Sequence, residues 1–243
     1  MRWKVNYLYD KVLEILGNLP AAKLLELGTG GGTLAKQAKD RGWQVTALDI
    51  EKEPFKYKHE IEFRQGDLNQ GLPFGEEAFD CVVMLEVIEH LKNPSFVLSQ
   101  IYRVLKPGGI FILSTPNILN LKSRLRFFFE GTYDYFREPP LDHRAFHKQG
   151  SFNPHLFAYK YPELEYILFD SGFKIEGIFA SYFEPEAKML SFFCLPLMKW
   201  QAYCKCRRAK KKSAVDYSRI FKILLSQELL CSRHLVIQGK KTG

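Results

Sequence analysis

Apolar residues along this chain recur in two rhythms that take turns. Val5, Leu8, Val12, Ile15 and Leu16 fall at helical spacing and predict an amphipathic helix ending near Gly17, ahead of Pro20. Residues 23–27 are a short buried run and read as a strand. Gly28-Thr29-Gly30-Gly31-Gly32 reads as a turn. Residues 33–41 have helical composition and stop at Gly42. A second strand, 45–48, ends at Asp49, and further strands are predicted at 61–64 and 79–84, the latter running into Leu85-Glu86. Pro94 can open a helix at its first turn, with Val97, Leu98, Ile101, Val104 and Leu105 as its stripe. Lys106-Pro107-Gly108-Gly109 is expected to break it before a strand at 110–115. Strands alternating with helices predict an α/β fold, a mostly parallel sheet with helices on both faces.

The rhythm lapses after residue 118. Leu121, Leu125, Phe128 and Phe129 predict a helix, and the wider stretch 118–158, rich in aromatics, histidines and prolines, reads as a substrate lid. Pro162, Leu164, Ile167, Leu168 and Phe169 predict another helix, ended by Gly172. Strands follow at 173–179 and 234–237. Between them lies an insertion, 184–216. Residues 189–198 carry no charge, whereas Lys199, Lys205, Arg207, Arg208, Lys210, Lys211 and Lys212 follow closely. No acidic residue lies between Glu186 and Asp216. An apolar stretch beside a basic cluster fits contact with an anionic membrane surface through 189–212. A substrate cap or an oligomer contact is the other reading. Pro196 is expected to interrupt a helix there.

Composition narrows the class. With 243 residues, 46% hydrophobic and 26% charged, the chain is expected to be a single globular domain, 1–243. Disorder, collagen and coiled-coil arrays are excluded. The net charge of +8 favours phosphates, nucleic acid or anionic lipid without choosing among them. Cys81, Cys194, Cys204, Cys206 and Cys231 form no regular disulfide framework. Cys204 and Cys206 are too close for the usual zinc pair, so no metal is expected. The chain shows no signal-peptide pattern and no apolar run long enough to span a bilayer. A reducing, cytoplasmic location is expected, with peripheral contact on the inner membrane face.

Candidate chemistry begins at Glu26 and the glycine turn. Glycines let a ligand approach the backbone, and the next helix N-terminus offers unpaired N–H groups. Asp49, at the next strand end, can accept both hydroxyl hydrogens of a ribose. A nicotinamide dinucleotide would use the same carboxylate. Its fingerprint, however, needs a third glycine where Thr33 stands. A carboxylate such as Glu26 is also awkward beside a pyrophosphate and sensible beside an amino group or a sulfonium.

The chain resembles the class I S-adenosylmethionine-dependent methyltransferases. Glu26 through Gly32 is similar to their first motif and Asp49 to their ribose-binding acid. Gly66-Asp67-Leu68 resembles the motif whose aspartate meets the adenine amino group, and residues 79–91 resemble the fourth strand and post-strand segment. Val104-Leu105-Lys106-Pro107-Gly108-Gly109 resembles the turn before the fifth strand. The likeness covers about 24–115. Glu86-Val87-Ile88-Glu89-His90, Ser114-Thr115-Pro116-Asn117 and His155-Leu156-Phe157 resemble the ubiquinone-biosynthesis O-methyltransferase flavour.

The resemblance implies a seven-stranded Rossmann-like sheet with an antiparallel seventh strand. It also implies S-adenosyl-L-methionine, held by Glu26, Gly28, Thr29, Gly30, Gly32, Asp49, Ile50, Asp67, Leu68, Leu85 and Glu86. The acceptor would be a small or lipid-like molecule, methylated at oxygen by in-line displacement. An RNA or protein methyltransferase and a noncatalytic cofactor-binding scaffold are the alternatives. No nucleic-acid module or Asn-Pro-Pro-Tyr-like turn follows Met84, so nucleic acid is not expected as a partner. The general-base candidates are His90, then His143 and His155, with His147 also in the lid, since histidine titrates near neutrality. Glu86 and Glu89 would orient a histidine or a substrate hydroxyl. Phe127, Phe128, Phe129, Tyr133, Tyr135 and Phe136 would enclose an apolar acceptor or form a small secondary core.

Overall fold

A computed structural model describes residues 2–134, 157–209 and 216–243. His143, His147, His155, Tyr135 and Phe136 fall outside the described residues, as does most of the expected lid. The chain opens with α1 (Arg2–Gly17) and alternates through β1 (Lys23–Leu27), α2 (Thr33–Lys39), β2 (Gln44–Asp49), β3 (Glu62–Gln65) and β4 (Phe79–Leu85). It continues with α3 (Pro94–Val104), β5 (Leu105–Pro116), α4 (Leu121–Glu130), α5 (Tyr161–Asp170) and β6 (Phe173–Ala180). The last elements are α6 (Pro185–Ala209), α7 (Tyr217–Leu224), α8 (Gln227–Cys231) and β7 (His234–Lys241).

The sheet order is β3-β2-β1-β4-β5-β7-β6. β1 to β5 pair in parallel, and β7 runs antiparallel to both β5 and β6. This is the implied Rossmann-like sheet. Its strand order reverses between β1 and β4, and that is where an open α/β sheet leaves a crevice beyond its strand ends.

Period-two alternation divides the core. Leu24, Cys81, Val83, Ile112 and Val236 face α1 and α2. Leu25, Leu27, Val82, Met84, Phe111 and Leu113 face α3 and α5. Helices cover both faces, so the strands read as nearly unbroken apolar runs. Glu26 falls on the α1 side, between two buried leucines. A third cluster joins α4, α6 and α8 through Leu121, Ala187, Leu230 and Cys231.

Two expectations are corrected. Lys106-Pro107-Gly108-Gly109 does not separate a helix from a strand. Leu105 already pairs with Phe79, and β5 runs through these residues with a register shift against β4. Lys106 Nζ reaches Asp80 Oδ1 at 2.7 Å and pins the irregular stretch to the neighbouring strand. Nor does Pro196 interrupt its helix, because α6 is continuous through it. A proline removes the bond to the carbonyl four residues back, here Phe192. Both Phe192 and Pro196 lie on the exposed side, where water can take that carbonyl.

Candidate active site

β1, β2 and β4 end at one edge, and the loops leaving them build the site. Leu48 O accepts the Gly28 N–H at 2.8 Å and so ties the first loop to β2. The Gly30 N–H donates to Asp49 Oδ2 at 2.8 Å, and the Glu51 N–H donates to Asp49 Oδ1 at 3.0 Å. These bonds hold the Asp49 carboxylate still and leave further lone pairs on both oxygens.

Gly28 has φ +71°, and a Cβ built on it would lie 2.3 Å from Val87 Cγ2. Only glycine meets both the backbone angle and the packing. Gly28→Ala is therefore expected to cost ~3 kcal/mol, from left-handed strain plus overpacking. Thermal unfolding should show a loss of about 6–12 °C. Val87→Ala in the same chain should recover the packing share alone; full recovery would refute the strain, and none would refute the clash.

Glu26 is buried, and its Oε2 accepts the Thr29 hydroxyl at 2.7 Å. Burial pushes its pKa up to about 7, Asp49 adds to the push, and hydrogen bonds from Thr29 and the Ala35 N–H oppose it. Tyr9 of α1 lies near enough that Glu26 and Glu86 help burial to raise its pKa. Asp67 Oδ1 accepts both the backbone N–H and the amide of Asn69 at 2.9 Å. The Asn69 backbone bond leads in holding Asp67 below the usual carboxylate range.

On the far side of β4 the loop turns sharply. Glu86 has φ +54°, a left-handed conformation that non-glycine residues rarely adopt. Its N–H donates to Ser114 O at 3.1 Å, and the Ser114 hydroxyl donates to Glu86 Oε1 at 2.8 Å. His234 Nε2 stands 3.7 Å from Glu86 Oε2, and His234 Nδ1 shares a 2.9 Å hydrogen bond with Ser181 Oγ.

Glu89 is fully buried in the short 3₁₀ turn Ile88–His90. Its Oε2 accepts the Thr115 hydroxyl at 3.1 Å, while its Oε1 is buried without a hydrogen-bond partner. Burial lifts the Glu89 pKa to about 7. Glu86 is raised well above the ordinary carboxylate range, by burial first and the Glu89 charge second. Tyr159, preceding α5, has its pKa raised by burial, then by Glu163 and Glu89. Phe157 lies beside Tyr159, ring centroids 5.9 Å apart, and its N–H donates to Glu89 O at 3.1 Å.

Known proteins resemble this chain in sequence and in fold. A family model described as "Methyltransferase domain" matches residues 25–113, the stretch holding both halves of the site. Over residues 25–113 the chain is thus similar to a methyltransferase domain. An Alkalilimnicola ehrlichii protein named ubiquinone biosynthesis O-methyltransferase is 32% identical over 52% of this chain and 58% of its own length. A Vibrio cholerae protein of the same name is 29% identical over 65% of this chain and 74% of its own. A methyltransferase structure from Archaeoglobus fulgidus overlays with a TM-score of 0.60 at 17% identity, covering 97% of this chain and 94% of that one. Phosphoethanolamine N-methyltransferase 2 of Haemonchus contortus, solved with S-adenosyl-L-methionine, overlays at 0.55 and 17% identity. It covers 97% of this chain and 52% of the other, and both overlays speak to the fold.

The strand-end cradle has features that suit S-adenosyl-L-methionine, the ligand held by the Haemonchus contortus protein. A Cβ on Gly30 would meet nothing within 4 Å, so the loop borders open space there. Asp49 retains accepting capacity beside that space, and a buried carboxylate stands across from it. Ile50 is a large apolar side chain, 59% exposed at the rim, and a planar base laid on it would cover it. Gly32 is the N-cap of α2, and Leu85 is half-buried at the end of β4.

Two sequence assignments change character. The Leu68 side chain belongs to the core, so only its backbone faces the site. Thr29 is buried, and its hydroxyl is spent on Glu26, which makes it a positioning residue. His90 is half-buried beside Glu89, at the end of the same turn. Among the described residues, no group of three or more histidine, cysteine, aspartate or glutamate side chains is arranged to hold a metal ion. Sequence reasoning missed Tyr9, Ser181 and His234, each of which reaches the site through packing of a distant segment.

Proposed function

We propose that this chain is a methyltransferase that acts on a small or lipid-like acceptor and methylates it at oxygen. The observation that carries the reading is Glu89 Oε1, a buried carboxylate oxygen with no hydrogen-bond partner. An acceptor hydroxyl would complete it, since a buried acceptor atom left unpaired is costly. Glu89 takes that hydroxyl's proton, with His90 beside it as the relay toward solvent. Glu86, held by Ser114 and faced by His234, favours its protonated form beside Glu89 and orients the acceptor by hydrogen bonding. Phe157 and Tyr159 supply an aromatic wall for an apolar body. The two relatives named as ubiquinone biosynthesis O-methyltransferases support oxygen as the methylated atom.

On the donor side we assign the ribose to Asp49 and the adenine amino group to Asp67. Ile50 and the Leu68 backbone border the base, and the backbone of 28–32 follows the amino-acid portion toward Glu26. Bound there, the cofactor supplies an electrophilic methyl carbon. The protein's part is to place the acceptor oxygen in line with it and to exclude water. The lipid-like acceptor goes with a peripheral place on an anionic membrane surface, through 189–212.

Radiolabelled methyl transfer, run on phenols, catechols, aliphatic alcohols, amines, RNA and protein, tests the reading. Label is expected in hydroxyl acceptors with apolar bodies. Label confined to RNA, protein or amines would overturn it. Calorimetry with S-adenosylhomocysteine and with a nicotinamide dinucleotide checks the donor side, with heat expected only for the first.

A further inference from the structure

The described part of α6 is apolar on two opposite sides. Its inner side, Ala187, Leu190, Cys194, Leu195 and Met198, packs on α4 and α8. Its outer side presents Met189, Phe192, Phe193, Leu197, Trp200 and Tyr203, all between 59% and 78% exposed. These positions recur every three or four residues and form one stripe along the helix. A helix needs one apolar side to join a core, and nothing among the described residues covers the second. Phe128 and Phe129 of the adjoining α4 are exposed as well.

Charge selects what covers the stripe. After Glu186, α6 carries Lys188, Lys199, Lys205, Arg207 and Arg208 and no carboxylate. A second copy of this chain, seated stripe to stripe, would bring like charges together. An anionic lipid surface satisfies both features, taking the aromatic side chains at its apolar boundary and the cations at its headgroups. Trp200 and Tyr203 have the amphipathic rings suited to that depth, and Arg207 lies over the Tyr203 ring at 5.8 Å. No helix among the described residues is long and apolar enough to cross a membrane, and a helix of this kind meets a bilayer along its surface.

The position is also apt. β6 runs parallel to β5 through their shared antiparallel partner, and α6 leaves its end at Glu184, whose N–H donates to Cys231 O at 2.8 Å. α6 therefore starts at the sheet edge that bears Glu86 and Glu89. We infer that the outward aromatic face of α6 is the element that seats this protein on an anionic bilayer, with the site edge turned toward the lipid. The inference deepens the peripheral reading above and does not depend on the methylated atom.

Co-sedimentation with phosphatidylcholine vesicles, with and without phosphatidylglycerol, tests it in the full chain. Binding is expected to need phosphatidylglycerol and to fall with added salt. Phe193→Glu with Trp200→Glu should lower partitioning about tenfold or more. Lys199→Gln with Arg207→Gln and Arg208→Gln should lower it about fivefold per charge removed. None of these residues is assigned to donor or acceptor, so S-adenosylhomocysteine affinity and the unfolding midpoint should stay at wild-type values and certify that the variants fold. Failure of the wild type to bind either vesicle would overturn the proposal. So would binding that survives Phe193→Glu with Trp200→Glu, or a stripe-dependent dimer in sedimentation with no vesicle binding. Methyl transfer to soluble hydroxyl acceptors is read separately, so failure here leaves the acceptor chemistry intact.

Discussion

Glu89→Gln is expected to lower methyl transfer to a hydroxyl acceptor by ~10²–10⁴-fold, the range for losing a positioned general base. Cofactor affinity should stay within about twofold, because Glu89 lies on the acceptor side. The substitution keeps the shape and the hydrogen bond with Thr115 but removes the group that takes the proton. The wild-type rate should rise with pH through about 7, where burial places the Glu89 pKa, and then level off. In the variant that rise should vanish. A variant with wild-type turnover, or one that keeps the same pH rise, would remove Glu89 from the mechanism. Two neighbouring buried carboxylates can be neutralised by a cation as well as by a proton. Assay after exhaustive chelation tells these apart, since the proton-taking role predicts unchanged activity. Stability should move the other way. Glu89 holds its proton more tightly folded than unfolded, so wild-type stability falls as pH climbs from about 4.5 toward 7. Glu89→Gln should lose less stability over that range, since Glu26 and Glu86 still titrate in it, and be the more stable protein above it.

The parts of the site legible in the sequence are those set by local spacing. Glycines between two strands, an acid at each strand end and Pro94 opening a helix all act through neighbours, and the structure places them where the pattern does. Asn117 shows what spacing cannot reveal. Its side-chain amide donates to the carbonyls of Glu228, Leu229 and Ser232 at 3.2, 3.0 and 3.1 Å, so it pins the end of β5 to α8 from inside the core. Nothing near residue 117 announces partners so far along the chain. Tyr9 likewise reads as one more helix residue until α1 packs across β1. The α4 aromatics fit neither a pocket wall nor a secondary core throughout. Phe127 stacks on Tyr133 at 4.6 Å, yet Phe128 and Phe129 point outward. Leu121 is buried and Leu125 already exposed, so the apolar period outlasts the packing. Pro196 stays within a continuous helix for a related reason. Its cost depends on which side of the helix loses a bond, and that is a property of packing.

Cofactor affinity is expected to rise with pH between about 5 and 7 and then level off, and Glu26 is the reason. In the free protein, burial keeps a proton on Glu26 up to about 7. A cationic ligand group favours the ionised form, so binding below that pH must release the proton. Each pH unit below 7 then weakens affinity by up to about tenfold. Calorimetry of S-adenosylhomocysteine in buffers of different ionisation enthalpy should detect about one proton released at pH 6 and none at pH 8. Glu26→Gln should abolish both the slope and the proton. It should also weaken binding at pH 8 by ~10–100-fold, the worth of a charged hydrogen bond. The free protein carries the opposite signature. A carboxyl whose folded pKa exceeds its ordinary 4.5 withdraws stability as pH rises toward 7, so Glu26→Gln without ligand should melt higher at pH 8 than the wild type. Ligand reverses that order, because ionised Glu26 then has its counter-charge. A slope that persists in Glu26→Gln would place the proton on another group. A flat wild-type profile with no proton released would mean that no positive group of the ligand reaches Glu26, and the donor's orientation along 28–32 would have to be turned around.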